Sequence, residues 1–424
     1  MTTQRITDDQ RNDVNPGTIT MSASRFPIRQ TVRDIGPAAS VRINDAVYRL
    51  KRRGEDVITL SLGEAFFDQP MAEISEDEFA AGMHYSDSRG IPALRAKIAA
   101  HYAHAFGATV DPAHQILVSA GSKPILFMAM LAAVEQGKEV LIHEPGWLSY
   151  PEQAVLAGAT ARHIPYDADI NGIVASISSK TGMLIINNPN NPAGRLYTRD
   201  EIEALYTACH ARGVYLLLDE SYSDFAPPGT FASLASVAPD FEGALVINSL
   251  SKNLGVSGWR IGYLMGAQEF VDNILKLNQH LLTCAPTFLA NYCASHFDDM
   301  IAATQPQIAS LQQKRDRVAK AIAERGLSVL AGSTTFYFFL SIDGFAGTDI
   351  EFAQKMIVDD RIAVVPGSAY GASTGRFIRI SIGTESEVRI DHALDAIRRQ
   401  IGTNDYNRDS YNSALEELID QSLV

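Results

Sequence analysis

The sequence predicts an α/β protein: a large domain on a mostly parallel sheet covered by helices, plus a smaller α+β domain. Three observations carry this reading. Six short apolar runs in the middle of the chain alternate with helical patterns, as strands do when both sheet faces are covered. At 424 residues the chain exceeds one simple core, since single cores stop growing near ~250–300 residues. Beyond residue 305 a long helical pattern leads into a second patterned region.

Taken in order, residues 1–35 are polar and weakly patterned, an N-terminal arm. Helical periodicity begins near Ser40 in SVRINDAVYRLKRRG, and a short strand follows in DVITLSLGE. The apolar runs are HQILVSA, KEVLIHEP, GMLIINNP, GVYLLLDE, GALVINSL and RIGYLMG. They are nearly continuous, so neither face is reserved for solvent. PILFMAMLAAVEQG and RDEIEALYTACHARG are helical patterns between them. A helix is expected from about Pro306 to Arg325, with proline at its first turn, where a missing N–H is harmless. TTFYFFLSI, a helix near Asp349 to Asp359, RIAVVPGS, RFIRISIG and a last helix to about Gln400 complete the pattern. The expected division is an arm (1–35), a large domain (66–305), a small domain (36–65 with 306–401) and an acidic tail (402–424) carrying SALEELIDQSL.

A formal net charge of −13 argues against a nucleic-acid footprint and a polybasic membrane surface. Cys209, Cys284 and Cys293 make neither a disulfide framework nor a CxxC pair, and no metal site is expected. No apolar run reaches the ~18–20 residues of a membrane span. The polar N-terminus lacks a signal-peptide core. A cytoplasmic location and small-molecule partners are the expectation.

Ligands of open α/β sheets bind outside the carboxyl ends of the strands. The residues after each run therefore matter most. HQILVSA leads into Gly121-Ser122-Lys123 and a helix start, which suits either a phosphate or a simple cap. KEVLIHEP leads to Trp147, a stacking face for a flat ring or a packing aromatic. GMLIINNP leads to Asn191, aimed by a proline-rich turn. GVYLLLDE ends on Asp219, a carboxylate that burial makes costly without a cationic or hydrogen-bonding partner, with Tyr222 three residues on. Lys252 follows GALVINSL; a desolvated lysine has a lowered pKa and becomes a nucleophile or base, unless it serves a structural ion pair. Together these segments ask for a ligand with a phosphate, a flat ring, a ring cation and an electrophile. Pyridoxal 5′-phosphate meets all four needs.

SLGEAFFDQP, HYSDSRGIPALR, VSAGSKPIL, HEPGWLSYP, NNPNNPAG, LLLDESYSDF, NSLSKNLGVSGWRIGY, VVPGSAYG and RFIRISIG occur in that order. On these motifs the chain, from about Asp34 to Ile401, resembles the class I/II aminotransferases, the fold-type I pyridoxal-phosphate enzymes. The resemblance implies a seven-stranded-type sheet. It implies that Lys252 is the internal-aldimine lysine, Asp219 the partner of the pyridinium nitrogen, and Asn191 and Tyr222 partners of the ring hydroxylate. Trp147 would stack on the ring. Ser122, Lys123, Ser249 and Arg260 would hold the phosphate, joined by Ser251. Arg379 would bind the substrate α-carboxylate, beside the backbone of Gly63 and near Asn191. Tyr85 would reach the phosphate of a neighbouring subunit, in a homodimer with shared active sites. Two positions depart from the family pattern: Ala65-Phe66 follows Gly63-Glu64 where proline is usual, and Ala193 stands where threonine is usual.

The reaction implied is transfer of an amino group between an L-amino acid and a 2-oxo acid. Lys252 would carry the α-proton, and Asp219 would keep the ring nitrogen protonated. The same site also supports a lyase, racemase or oxidase. A non-catalytic ligand sensor of this fold is the remaining alternative, opposed by the short polar arm and the acidic charge. Phe26, Phe66, Tyr85, Trp147 and Phe336 are candidates for an aromatic substrate wall.

Overall fold

The computed structural model describes residues 26–36, 39–403, 411 and 413–415. Residues 1–36 and 37–424 form two separate units. Of the first, the described part holds one short helix, Gln30–Asp34, with no buried residue. Gln30 Nε2 donates to Asp34 Oδ1 across its single turn at 2.6 Å. Most of the SALEELIDQSL stretch lies outside the described residues.

The second unit carries twelve strands among its described residues. They are β1 (Ile58–Thr59), β2 (Ile116–Ser119), β3 (Glu139–His143), β4 (Thr160–Ile164), β5 (Thr181–Asn187) and β6 (Tyr215–Asp219). Then come β7 (Ala244–Ser249), β8 (Gly262–Met265), β9 (Tyr337–Ser341), β10 (Ile362–Ala363), β11 (Val365–Pro366) and β12 (Phe377–Ser381). The main sheet has seven strands in the order β2-β8-β7-β6-β5-β3-β4. Only β8 runs antiparallel to its neighbours. Each of the six apolar runs contains one strand. The seventh, β4, was not among them. It reads TARHI, an edge strand with alternate residues exposed, so it lacks the continuous apolar pattern of a strand covered on both sides.

Successive residues of the central strands enter opposite cores. Leu216, Leu218 and Val246 pack on one face, with the helices Pro92–Phe106 and Arg199–His210. Leu217, Leu245 and Ile247 pack on the other, with Ser122–Ala133 and Gln268–Leu281. A third core gathers Phe336, Leu340, Ile378 and Ile380, from β9, β12 and their flanks, with the helices Asp349–Asp360 and Glu387–Ile401. There β11, β12 and β9 form an antiparallel sheet, and β1 pairs in parallel with β10.

The helix expected to begin at Pro306 begins earlier. It runs from Thr287 to Glu324, with non-helical angles at His296 and Pro306 in its interior. A proline there removes one backbone donor and usually breaks a helix. Local side chains give the neighbouring carbonyls other donors: Gln307 Nε2 bonds Ala303 O at 2.9 Å, and Thr304 Oγ1 bonds Met300 O at 3.1 Å.

Candidate active site

The strand directions decide what meets at the sheet edge. The carboxyl ends of β2, β3, β5, β6 and β7 lie on one side, and β8, running the other way, begins there. Ser122, Trp147, Asn191, Asp219 and Lys252 are thus delivered by strand ends, and Arg260 by the approach to β8. Around them lies a cavity of about 510 Å³. Gly63, Lys123, Tyr222, Ser249, Ser251 and Arg379 also line it. Tyr85 does not, and its side chain is 86 % exposed.

Lys252 Nζ donates to the carbonyl of Gly63 at 2.7 Å. Burial pushes its ammonium down to about 8, while Glu64 and Asp219 pull the other way. Asp219 pairs in register with Asn187 of β5 and is buried. Burial pushes its carboxyl up; Ser221 Oγ and Tyr150 Oη each donate to it at 2.6 Å and oppose that shift. Its neighbour Glu220 follows the strand alternation to the other side. There it accepts from Tyr102, Ser233 and the Leu234 N–H, and burial raises it to about 8.

Asn191 Nδ2 donates to Tyr222 Oη at 3.3 Å, and Tyr222 Oη lies 2.9 Å from Tyr337 Oη. Arg379 is 3 % exposed on the middle of β12. It donates to Ser61 O at 2.6 Å and to Asn191 Oδ1 at 3.4 Å, and its planar group faces the Tyr337 ring at 4.7 Å. Its Nε is buried and has no hydrogen-bond partner among the described residues.

At the opposite end, the helix Ser122–Ala133 starts with no side-chain cap, which leaves its first N–H groups to the cavity. Gly121 has φ +92°, and a Cβ there would stand 2.5 Å from the Arg260 guanidinium. Only glycine allows that approach. The Ser249 and Ser251 hydroxyls are 2.8 Å apart, and Lys123 Nζ stands 4.9 Å from the Trp147 ring centre.

Three of the four proposed wall aromatics of this unit are placed otherwise. Phe336 is fully buried in the third core, and its neighbour Tyr337 faces the cavity instead. Phe66 is 68 % exposed and lines a second, adjacent cavity, while Tyr85 is exposed. Trp147 lines the main cavity. The fifth, Phe26, belongs to the other unit. Sequence reasoning missed Tyr150, Ser221, Tyr337, Glu64 and Asn44. The first gives Asp219 a donor, and the other four are part of the lining. The spacing of Ser221, two residues after Asp219, was a usable signal.

The donors fit pyridoxal 5′-phosphate. A buried carboxylate supplied only with hydroxyl and N–H donors, and without an ion-pair partner among the described residues, suits a protonated ring nitrogen. An uncapped helix start beside two serines and two cations suits a dianion. Fold and cavity together define an α/β protein whose sheet edge holds a desolvated lysine amine and a buried carboxylate in one cavity. The chain belongs to the class I and II aminotransferase family, whose sequence pattern it matches over residues 55–397. It is 28 % identical to an aspartate aminotransferase of Thermotoga maritima, over 87 % of this chain and 98 % of that one. It is 29 % identical to aromatic-amino-acid aminotransferase 2 of Thermococcus litoralis, over 81 % and 92 %. The solved structure of Thermus thermophilus aspartate aminotransferase with maleate superposes with a TM-score of 0.79 at 26 % identity, covering 88 % of this chain and all of that one.

Proposed function

We propose that this aminotransferase uses pyridoxal 5′-phosphate to move an amino group from an L-amino acid to a 2-oxo acid. The observation that carries the reading is one cavity holding Lys252, Asp219 and Arg379 together. When bound, the cofactor supplies an aldehyde that joins amines and a protonated ring that draws electrons from the substrate α-carbon. Lys252 would supply the amine that joins the aldehyde, and its buried Nζ would take and return the proton at the substrate α-carbon. Asp219 keeps the ring nitrogen charged, and Tyr150 and Ser221 keep Asp219 oriented. Tyr222 and Asn191 donate to the ring hydroxylate, and Trp147 covers one ring face. Ser122, Lys123, Ser249, Ser251 and Arg260 hold the phosphate. Arg379 grips the α-carboxylate with its free guanidinium N–H groups, beside the Gly63 backbone. Tyr85 serves the phosphate site of a second subunit, so the working form is a homodimer. Its exposure, and the exposed apolar side chains of Phe79 and Met83 nearby, support that assignment.

An amino donor added without oxo acid leaves the protein carrying pyridoxamine phosphate and releases one oxo acid per site. Absorbance and mass spectrometry of the released cofactor read this directly. Ammonia release, or a racemised donor with the cofactor unchanged, would move the reading to a lyase or racemase.

Arg379→Lys keeps the charge and loses the fork. It raises KM for every amino donor, at a cost of about 2–4 kcal/mol by analogy with truncated charge pairs. A KM equal to that of the native protein removes Arg379 from the carboxylate site.

A further inference from the structure

Three aromatic side chains line the main cavity: Trp147, Tyr222 and Tyr337. The first covers a ring face and the second serves the ring hydroxylate, which leaves Tyr337 without a task. It is fully buried at the start of β9. In the register of β9 and β12, Phe339 stands opposite Arg379 and Tyr337 opposite Ser381. Tyr337 is therefore a diagonal neighbour of Arg379 on one face of that sheet. The guanidinium carbon of Arg379 lies 4.7 Å from the centre of the Tyr337 ring and 5.6 Å from that of Tyr370. Rings packed on a guanidinium limit the directions in which its N–H groups point.

The hydroxyl of Tyr337 serves a different neighbour. It lies 2.9 Å from Tyr222 Oη, its one hydrogen-bond partner among the described residues. The space around it is tight: a Cβ on Gly63 would stand 3.2 Å from Tyr337 Oη. Burial pushes both phenols up, against the Arg379 cation, so each keeps its one hydrogen at neutral pH. Tyr222 Oη also accepts from Asn191 Nδ2 at 3.3 Å. Once Tyr222 donates to the ring hydroxylate, it has only lone pairs left for its neighbours. The hydrogen between the two tyrosines then comes from Tyr337. A hydroxyl that accepts such a bond becomes a stronger donor in turn.

Resting on the function proposed above, we propose that Tyr337 is a positioning residue with two separable tasks. Its hydroxyl strengthens the bond from Tyr222 to the ring hydroxylate, and its ring holds Arg379 in place for the substrate carboxylate. Stabilising the hydroxylate lowers the pH at which the neighbouring lysine–cofactor link loses its proton. The first task is thus read in a spectrum and the second in substrate binding.

The absorbance of the cofactor-loaded protein is titrated with pH, and kcat and KM are measured with one amino donor and one oxo acid. Tyr337→Phe keeps the ring and loses the hydroxyl. Its titration midpoint rises by about 0.3–1 pH unit, while KM for the donor changes by less than about twofold. Tyr337→Leu also loses the ring and raises that KM by about fivefold or more. Tyr337→Met carries the same expectation and replaces the leucine variant if that one fails to fold. In a Tyr222→Phe background, Tyr337→Phe moves the midpoint no further, because the hydroxyl acts through Tyr222. A Tyr337→Phe midpoint equal to the native one overturns the hydroxyl's task. So does an equal shift in the Tyr222→Phe background, or a native link that stays protonated to about pH 10. A native KM in the variants without the ring overturns the ring's task. A loaded native protein with no lysine–cofactor band overturns the proposed cofactor itself.

Discussion

Lys252→Ala is expected to abolish turnover, lowering kcat by at least about 10⁴-fold, because the proposed function gives one side chain both the capturing amine and the proton transfer. It would also remove the amine that links to the cofactor, so the absorbance band of the lysine–cofactor adduct should be missing from the loaded variant. The same amine gives a pH dependence. Burial depresses it to about 8 from the usual lysine range. The neutral, nucleophilic form therefore grows as pH rises through 8 and saturates above it. Capture of added cofactor by the cofactor-free protein, followed by absorbance, should accelerate from about pH 6.5 to about pH 9. Full activity in the alanine variant ends the assignment of Lys252. A capture rate flat across that range ends the claim that burial sets its reactivity.

Most of the main sheet and many of the residues that line the cavity were legible because both follow from backbone direction. Apolar runs locate strands, and the strand-end rule selects the residues after them. Asp219 and Lys252 emerge this way as polar residues ending buried segments. What escaped depended on packing between distant segments. Tyr150 follows Trp147 by three residues in a short helix, and only the fold brings its hydroxyl to Asp219. Tyr337 and Phe336 are adjacent and both aromatic, so composition could not say which one faces the cavity. The edge strand β4 escaped because half of it meets water. Pro306 was read as a helix start because the sequence shows its missing donor, but not the side chains that serve the carbonyls around it.

The second large effect is expected at Asp219. Asp219→Asn keeps the size of the side chain and removes its charge. Its two oxygens accept from Tyr150 and Ser221, both at 2.6 Å. An amide has one oxygen, so the variant must turn its NH₂ toward a hydroxyl or toward the ring. An NH₂ facing the ring requires an unprotonated nitrogen there, which removes the electron sink. Breaking a buried charge pair from one side costs about 3–5 kcal/mol, so kcat falls by roughly 10²–10³-fold or more. KM for the amino donor changes much less, because Arg379 and the phosphate contacts are untouched. Glu220 cannot substitute, since it points to the opposite face and is held by Tyr102, Ser233 and the Leu234 N–H. Steady-state kinetics with one donor and one acceptor decide the matter. A kcat within tenfold of the native value would mean that the ring nitrogen is not held by Asp219.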